Sequence, residues 1–85
     1  MKAALQIYSR DFDADFFKLP AELQTRIQSV IDRLGQTLDQ HPHHRMKGVD
    51  AYRIRVGDYR VIYNFDLAQG RLHLLAVGHR REVYR

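Results

Sequence analysis

"AYRIRVGDYRVIYNF", residues 51–65, decides how this chain folds. Two runs of Tyr, Ile, Val and Arg flank Gly57-Asp58, the pattern of two strands joined by a two-residue turn. With that turn, Val56 faces Tyr59, Arg55 faces Arg60, Ile54 faces Val61 and Arg53 faces Ile62. Side chains alternate across a strand. Tyr52, Ile54, Val56, Tyr59, Val61 and Tyr63 therefore share a face suited to a core. Arg53, Arg55 and Arg60 share the other face, with Arg55 directly opposite Arg60. Opposed like charges cost a sheet about 0.2–1 kcal/mol. One reading is a solvated face, its arginines lying along the sheet or pairing with Asp50 or Glu82. The other is an anion site, because the guanidinium fork matches phosphate. Three arginines on one face of one hairpin favour the anion site.

Upstream, "AALQIYS" (3–9) alternates and reads as a first strand. In 10–19, Phe12, Phe16 and Leu19 fall on one helical face, behind Asp11, Asp13 and Asp15 near the favourable N-terminal dipole. Pro20 suits the first position of a second helix. Leu23, Ile27, Val30, Ile31, Leu34 and Leu38 carry that helix to about Gln40. Gly35 inside it is expected to permit close packing. "HPHHRMKGVD" (41–50) reads as a solvated loop; His41, His43 and His44 lack the spacing of a zinc pair. Downstream, 71–78 is a further strand, reached through a turn from Asp66 to Gly70. His73 falls within it, at a position expected to pack. The order is β-α-α-β-β-β, an α+β domain with two helices on one face of a small, mainly antiparallel sheet.

At 85 residues the chain suits a single domain, 1–85. It contains no cysteine, which excludes disulfides and thiolate chemistry. The N-terminal run meets charge too early for a secretory leader, and no apolar run is long enough to span a membrane. Residues 1–44 hold five Lys/Arg against six Asp/Glu, whereas 45–85 hold nine against four. The excess positive charge thus lies in the second half, which fits either a polyanion or acidic protein partner or a solvated basic surface. The tail "GHRREVYR" adds His79, Arg80, Arg81, Tyr84 and Arg85. A tyrosine among arginines can stack on a nucleobase, and Tyr84 can equally pack the C-terminus.

On "MKGVDAYRIRVGDYRVIYNF" and "LLAVGHRREVYR" the chain resembles the RelE/ParE superfamily of toxins from bacterial type II toxin–antitoxin systems, nearest the RelE branch. The resemblance covers essentially the whole chain. It implies a RelE-like fold and ribosome-dependent cleavage of mRNA without metal or cofactor. In that chemistry a ribose 2′-hydroxyl attacks the adjacent phosphate and leaves a 2′,3′-cyclic phosphate and a 5′-hydroxyl. Matched by position, the implied catalytic set is Arg53, Arg55, Arg60, Arg80 and Tyr84. Arg53 and Arg55, with Arg81 and Lys47, are the implied RNA contacts. The implied partners are an acidic cognate antitoxin, the ribosome and mRNA, with operator DNA reached only through the antitoxin complex. The implied location is cytoplasmic, with no membrane.

The chain departs from the family pattern at the hairpin pair, which is lysine in the best-known RelE enzymes. Arginine keeps its proton and makes a poor base. His79 is the candidate general base instead, although its strand parity differs from that of Arg80. ParE-like relatives share the fold, lack the ribonuclease constellation and poison DNA gyrase. A third reading is a catalytically weak toxin-fold protein that acts through antitoxin binding and operon co-repression.

Overall fold

The structure, a computed structural model, describes residues 2–80. The elements are β1 (Leu5–Tyr8), α1 (Arg10–Phe16), α2 (Ala21–Gln36), β2 (His44–Arg45), β3 (Tyr52–Val56), β4 (Tyr59–Asp66) and β5 (Arg71–His79). The strands form one five-stranded mixed sheet in the order β1-β5-β4-β3-β2. β1 runs parallel to β5 and every other pairing is antiparallel. Both helices cover the same face of the sheet, as expected of an α+β domain.

Ser9 starts α1. Its Oγ accepts from the Phe12 N–H at 3.0 Å and donates to the Leu75 carbonyl at 2.8 Å, so one hydroxyl caps the helix and ties it to β5. Asp11 and Asp13 occupy the first turn. The helix ends at Phe16, earlier than the expected 19, because Lys18 and Leu19 bond back three residues in a tight turn before Pro20. Pro20 is the N-cap residue of α2 and not its first helical residue, at φ −56° and ψ 147°. α2 stops at Gln36, short of Gln40; Thr37 donates its N–H to Arg33 and Leu34, and a turn follows. Leu38 lies beyond the helix yet stays buried.

The core lies between the helices and the sheet. Phe12, Phe16, Ile27, Ile31, Leu34 and Leu38 meet Val56, Val61, Tyr63, Leu72, Leu74 and Val77. Each fully buried Ile or Leu contributes about 1.5–3 kcal/mol. A β-bulge between β4 and β5 keeps this face apolar. Ile62 pairs with Ala76 while Tyr63 pairs with Leu74, so Leu75 is the extra residue. That single insertion resets the alternation and turns Leu74 and Val77 both inward. A Cβ built on Gly35 would meet Ala4, Gln6 and Leu72 only at 3.8 Å, which is ordinary contact, so the expected close packing does not require glycine there.

The segment 41–50 is not a solvated loop throughout. It contains β2, paired through His44↔Arg53 and Arg45↔Tyr52. His43 is half-buried and stacks on Phe65 with centroids 4.1 Å apart. Its Nε2 lies 2.8 Å from the Leu38 carbonyl, which can only accept, so Nε2 carries the proton. Nδ1 then accepts from the Tyr63 hydroxyl at 2.6 Å. Burial first, and the neighbouring Tyr52 second, push the Tyr63 phenol far above its usual value, so it remains a donor.

Candidate nucleic-acid interface

The hairpin register is the one read from sequence: Val56↔Tyr59, Arg55↔Arg60, Ile54↔Val61, Arg53↔Ile62 and Tyr52↔Tyr63. Gly57 has φ 60°, and no described non-glycine residue has positive φ, the sign pattern of a type II′ turn. Val56, Val61 and Tyr63 are buried beneath the helices. Arg53, Arg55 and Arg60 therefore lie on the face that the helices leave open. Arg55 is exposed; Arg53 and Arg60 are half-buried.

Opposite Arg60 on β5 stands Gly78, which has no side chain to crowd the guanidinium. The Arg80 N–H donates to the Asp58 carbonyl at 2.9 Å, extending the β4–β5 pairing one residue past the strand end. Arg80 follows β5 by one residue, and continued alternation from Gly78 gives it the parity of Arg60. His79 does not share that parity. His79 pairs with Tyr59, and their rings meet edge-on at 5.6 Å on the helix side. His79 lines a separate cleft of about 420 Å³ with Asp11, Asp15, Lys18 and Tyr59. Tyr84 and Arg81 lie outside the described residues.

Further along the open face, the register places His44 beside Arg53. A cleft of about 410 Å³ at this edge of the sheet is lined by His41, Pro42, His44, Arg53, Ile54 and Arg55. Lys47 is exposed and lines a neighbouring cleft with Arg45, Met46 and Arg53. Asp50, a sequence candidate for pairing with the hairpin arginines, instead meets Arg45 at 3.4 Å. Both groups are well exposed, so that pair contributes at most about 1 kcal/mol. Sequence reading missed His41 and His44 as neighbours of the arginines. A two-residue strand has no periodicity to detect, so β2 left no signal.

Towards β1 the open face carries several apolar side chains. Ile62 is 7% exposed there, next to Ala76, and Leu5 and Ile7 of β1 are exposed. Arg71 and His73 of β5 pair with Leu5 and Ile7 and share that face, so apolar and polar side chains mix there. Among the described residues no cluster of three or more His, Asp, Glu or Cys can hold a metal ion. No described helix is long and apolar enough to cross a membrane.

A helical pair on one side of a mixed sheet, with arginines gathered on the other, defines a RelE-like toxin fold. The chain belongs to the ParE toxin family of type II toxin–antitoxin systems, whose model matches residues 7–84. It is therefore a toxin of that kind of system. No protein of curated function matches it significantly in sequence. Among solved structures it is similar to the toxin–antitoxin complex RelBE2 from Mycobacterium tuberculosis, with TM-score 0.79 and 20% identity over 96% of this chain and 97% of that one. A doubly substituted E. coli toxin RelE in the free state matches with TM-score 0.79 and 16% identity over 98% and 92% of the two chains. A YoeB/ParE toxin from Agrobacterium tumefaciens matches with TM-score 0.70 and 16% identity over 87% and 95%.

Proposed function

We propose that this toxin is a ribosome-dependent endoribonuclease that cuts mRNA and halts translation. The observation that carries the reading is the arginine face: Arg55 opposite Arg60 and Arg53 beside them, with the Arg80 backbone tied to Asp58 just past β5. In the cleavage the ribose 2′-hydroxyl gives its proton to water as O2′ bonds to phosphorus, the P–O5′ bond breaks, and the 5′-oxygen takes a proton from water. Arg60 and Arg80 clamp the phosphate and neutralise the charge that builds on its oxygens. Arg53 and Arg55 hold flanking phosphates, with Lys47 and Arg81 as outlying contacts. Tyr84 stacks on a base and orients the nucleotide. No imidazole shares the parity of Arg60 and Arg80 at the end of β5, and arginine is a poor base. The rate therefore comes mainly from in-line positioning of the 2′-hydroxyl, with the ribosome holding the message, and free RNA is a poor substrate.

In the same reading a cognate acidic antitoxin silences the toxin in the cytoplasm by covering the open face. The M. tuberculosis match is itself a toxin–antitoxin complex. Operator DNA is met only through that complex. Charge complementarity makes its assembly fast and salt-sensitive.

The second reading is a gyrase inhibitor without nuclease activity, and the ParE family match favours it. A toxin that acts mainly by antitoxin binding and operon co-repression is the weaker form of either. Induction of the chain in growing cells separates the three. Ribosome-positioned mRNA cuts are the expected outcome. DNA breaks with intact mRNA would establish the gyrase reading, and no growth effect would leave antitoxin binding and co-repression.

A further inference from the structure

We infer that the cleft at the β2–β3 edge, lined by His41, His44, Arg53 and Arg55, is a second phosphate subsite whose affinity rises as pH falls. It takes a backbone phosphate of single-stranded nucleic acid, next to the one held at Arg60 and Arg80. The inference rests on the nucleic-acid reading of the arginine face and extends it over the sheet edge.

The fold opens this cleft for a local reason. β2 covers only two residues of β3. Continued past His44, the register would bring Pro42 level with Arg55, and proline has no N–H to donate to a strand. The chain therefore leaves the edge of β3 there, and His41 and Pro42 stand off from Ile54 and Arg55 around about 410 Å³ of space. Among the described residues, the ionisable side chains lining it are two arginines and two histidines, with no carboxylate. Two guanidinium forks offer paired N–H donors to phosphate oxygens, and two imidazoles add further donors once protonated.

The cleft is continuous with the arginine face. Arg53 and Arg55 lie two residues apart, about 7 Å along one strand, and Arg55 faces Arg60 directly. A strand held at Arg60 thus finds its next cationic contact at Arg55 and Arg53, and then at the histidines. That continuity favours a phosphodiester chain as the occupant.

The proton linkage follows from His41. Its own burial first, then the competing imidazoles of His43 and His44, hold it below the usual histidine value. The His43 ring lies 5.0 Å away. The groups facing it across the cleft are His44, Arg53 and Arg55, with Asp39 on its own turn. At neutral pH His41 is therefore uncharged. A bound phosphate offsets the surrounding positive charge, favours the imidazolium, and so binds with uptake of a proton.

The test uses the full-length chain, histidine ring NMR, and two probes: inorganic phosphate and a 2′-deoxy hexanucleotide that cannot be cleaved. Phosphate is expected to shift the His41 and His44 ring signals and to raise the His41 titration midpoint. The hexanucleotide should bind about tenfold tighter at pH 6 than at pH 8, inside the roughly hundredfold limit for one linked proton over two pH units. The double variant His41→Gln/His44→Gln should reduce that ratio to about twofold. Ring signals that ignore both probes, or a pH ratio that survives in the double variant, would overturn the subsite. So would an acidic peptide that shifts those signals while the hexanucleotide does not, because the cleft would then be a protein contact. Normal proton-linked binding by a chain that makes no mRNA cuts would uphold the subsite and refute the nuclease reading alone.

Discussion

On the helix side of the β3–β4 hairpin, Val61 and Tyr63 are wholly buried and the tyrosine hydroxyl is held by His43. On the other side, a residue away along the same strands, Arg55 stands opposite Arg60 with Gly78 beyond it. One backbone thus carries a face selected for packing and a face that packing alone would not select. Directly opposed arginines weaken the pairing by a few tenths to about 1 kcal/mol. The helix side more than offsets that, since each large buried side chain there contributes about 1.5–3 kcal/mol. The difference teaches how to separate stability from function in this molecule: substitutions on the two faces should fail in different ways.

The sharpest break comes from the packed face. Tyr63→Ala removes a fully buried aromatic ring and strands the ring nitrogen of His43. The expected loss is about 3–5 kcal/mol, most of the stability of a domain this size. Chemical denaturation should show an unfolded or barely folded variant. The same phenol sets a limit at high pH. Its ionisation is pushed above the ordinary value of 10.0, so the unfolded chain releases that proton first. Stability should be steady below about pH 10 and fall above it.

On the open face, Arg60→Ala should remove toxicity while the fold survives. Loss of one charge-stabilising donor at a reacting phosphate typically costs about 10²–10³ in rate. Relief of the Arg55–Arg60 opposition should keep the melting temperature within a few degrees of the parent. Growth assays and thermal melts on the same variant check both halves. A large fall in melting temperature would make Arg60 structural and erase the contrast between the faces.

His43→Ala lies between these extremes. It leaves the buried Tyr63 hydroxyl and the Leu38 carbonyl without their partner and removes the stack on Phe65. An unsatisfied buried group costs about 1–3 kcal/mol, and the expected total is about 2–3. Tyr63→Phe should cost less and combine non-additively with it, which a double-mutant cycle measures.

The contrast between the faces also shows what sequence reading can reach. Parity along 51–65 was enough to separate packed residues from arginines, because a two-residue turn fixes register and register fixes every facing pair. Parity likewise separated His79 from Arg80. The β5 bulge was not legible: "LHLLAVGH" is apolar almost throughout, so no alternation betrays the extra Leu75. Nor was the role of His43, whose partners Leu38, Tyr63 and Phe65 converge only in the folded chain. The helix ends shifted by a few residues because tight turns and Thr37 took over the terminal hydrogen bonds. Within the site, the arginines were legible by face, whereas His41 and His44 reached them through a strand too short to leave a pattern.

A smaller effect is expected at His79, which faces Tyr59 and the helix side. His79→Ala should change single-turnover cleavage on programmed ribosomes by no more than about threefold, well short of the 10² that a general base contributes. The parental pH–rate profile should lack the steep fall below pH ~6.5 that a histidine base imposes. A rate that collapses through that pH, together with a folded but inactive His79→Ala variant, would bring the two faces into one catalytic site.

The smallest expected effect tests the packed face from its far side. Gly35 is buried in α2, and its carbonyl accepts from the Ala4 N–H at 2.9 Å. Nothing in that bond requires glycine. Its φ is not positive, and an added Cβ would sit 3.8 Å from the Ala4 carbonyl, Gln6 Nε2 and Leu72 Cδ2. A methyl group fits there at ordinary contact distance. Glycine in a helix interior costs about 0.8–1.0 kcal/mol relative to alanine, largely because the unfolded chain has more freedom to lose. Gly35→Ala should therefore stabilise the domain by up to about 1 kcal/mol and raise the melting temperature by about 4–8 °C. Gly35→Leu should reverse the sign, because a large side chain must displace β1 or Leu72. A fall in melting temperature for alanine itself would show that helix and sheet approach more closely than these distances allow, and that the glycine is there for packing after all.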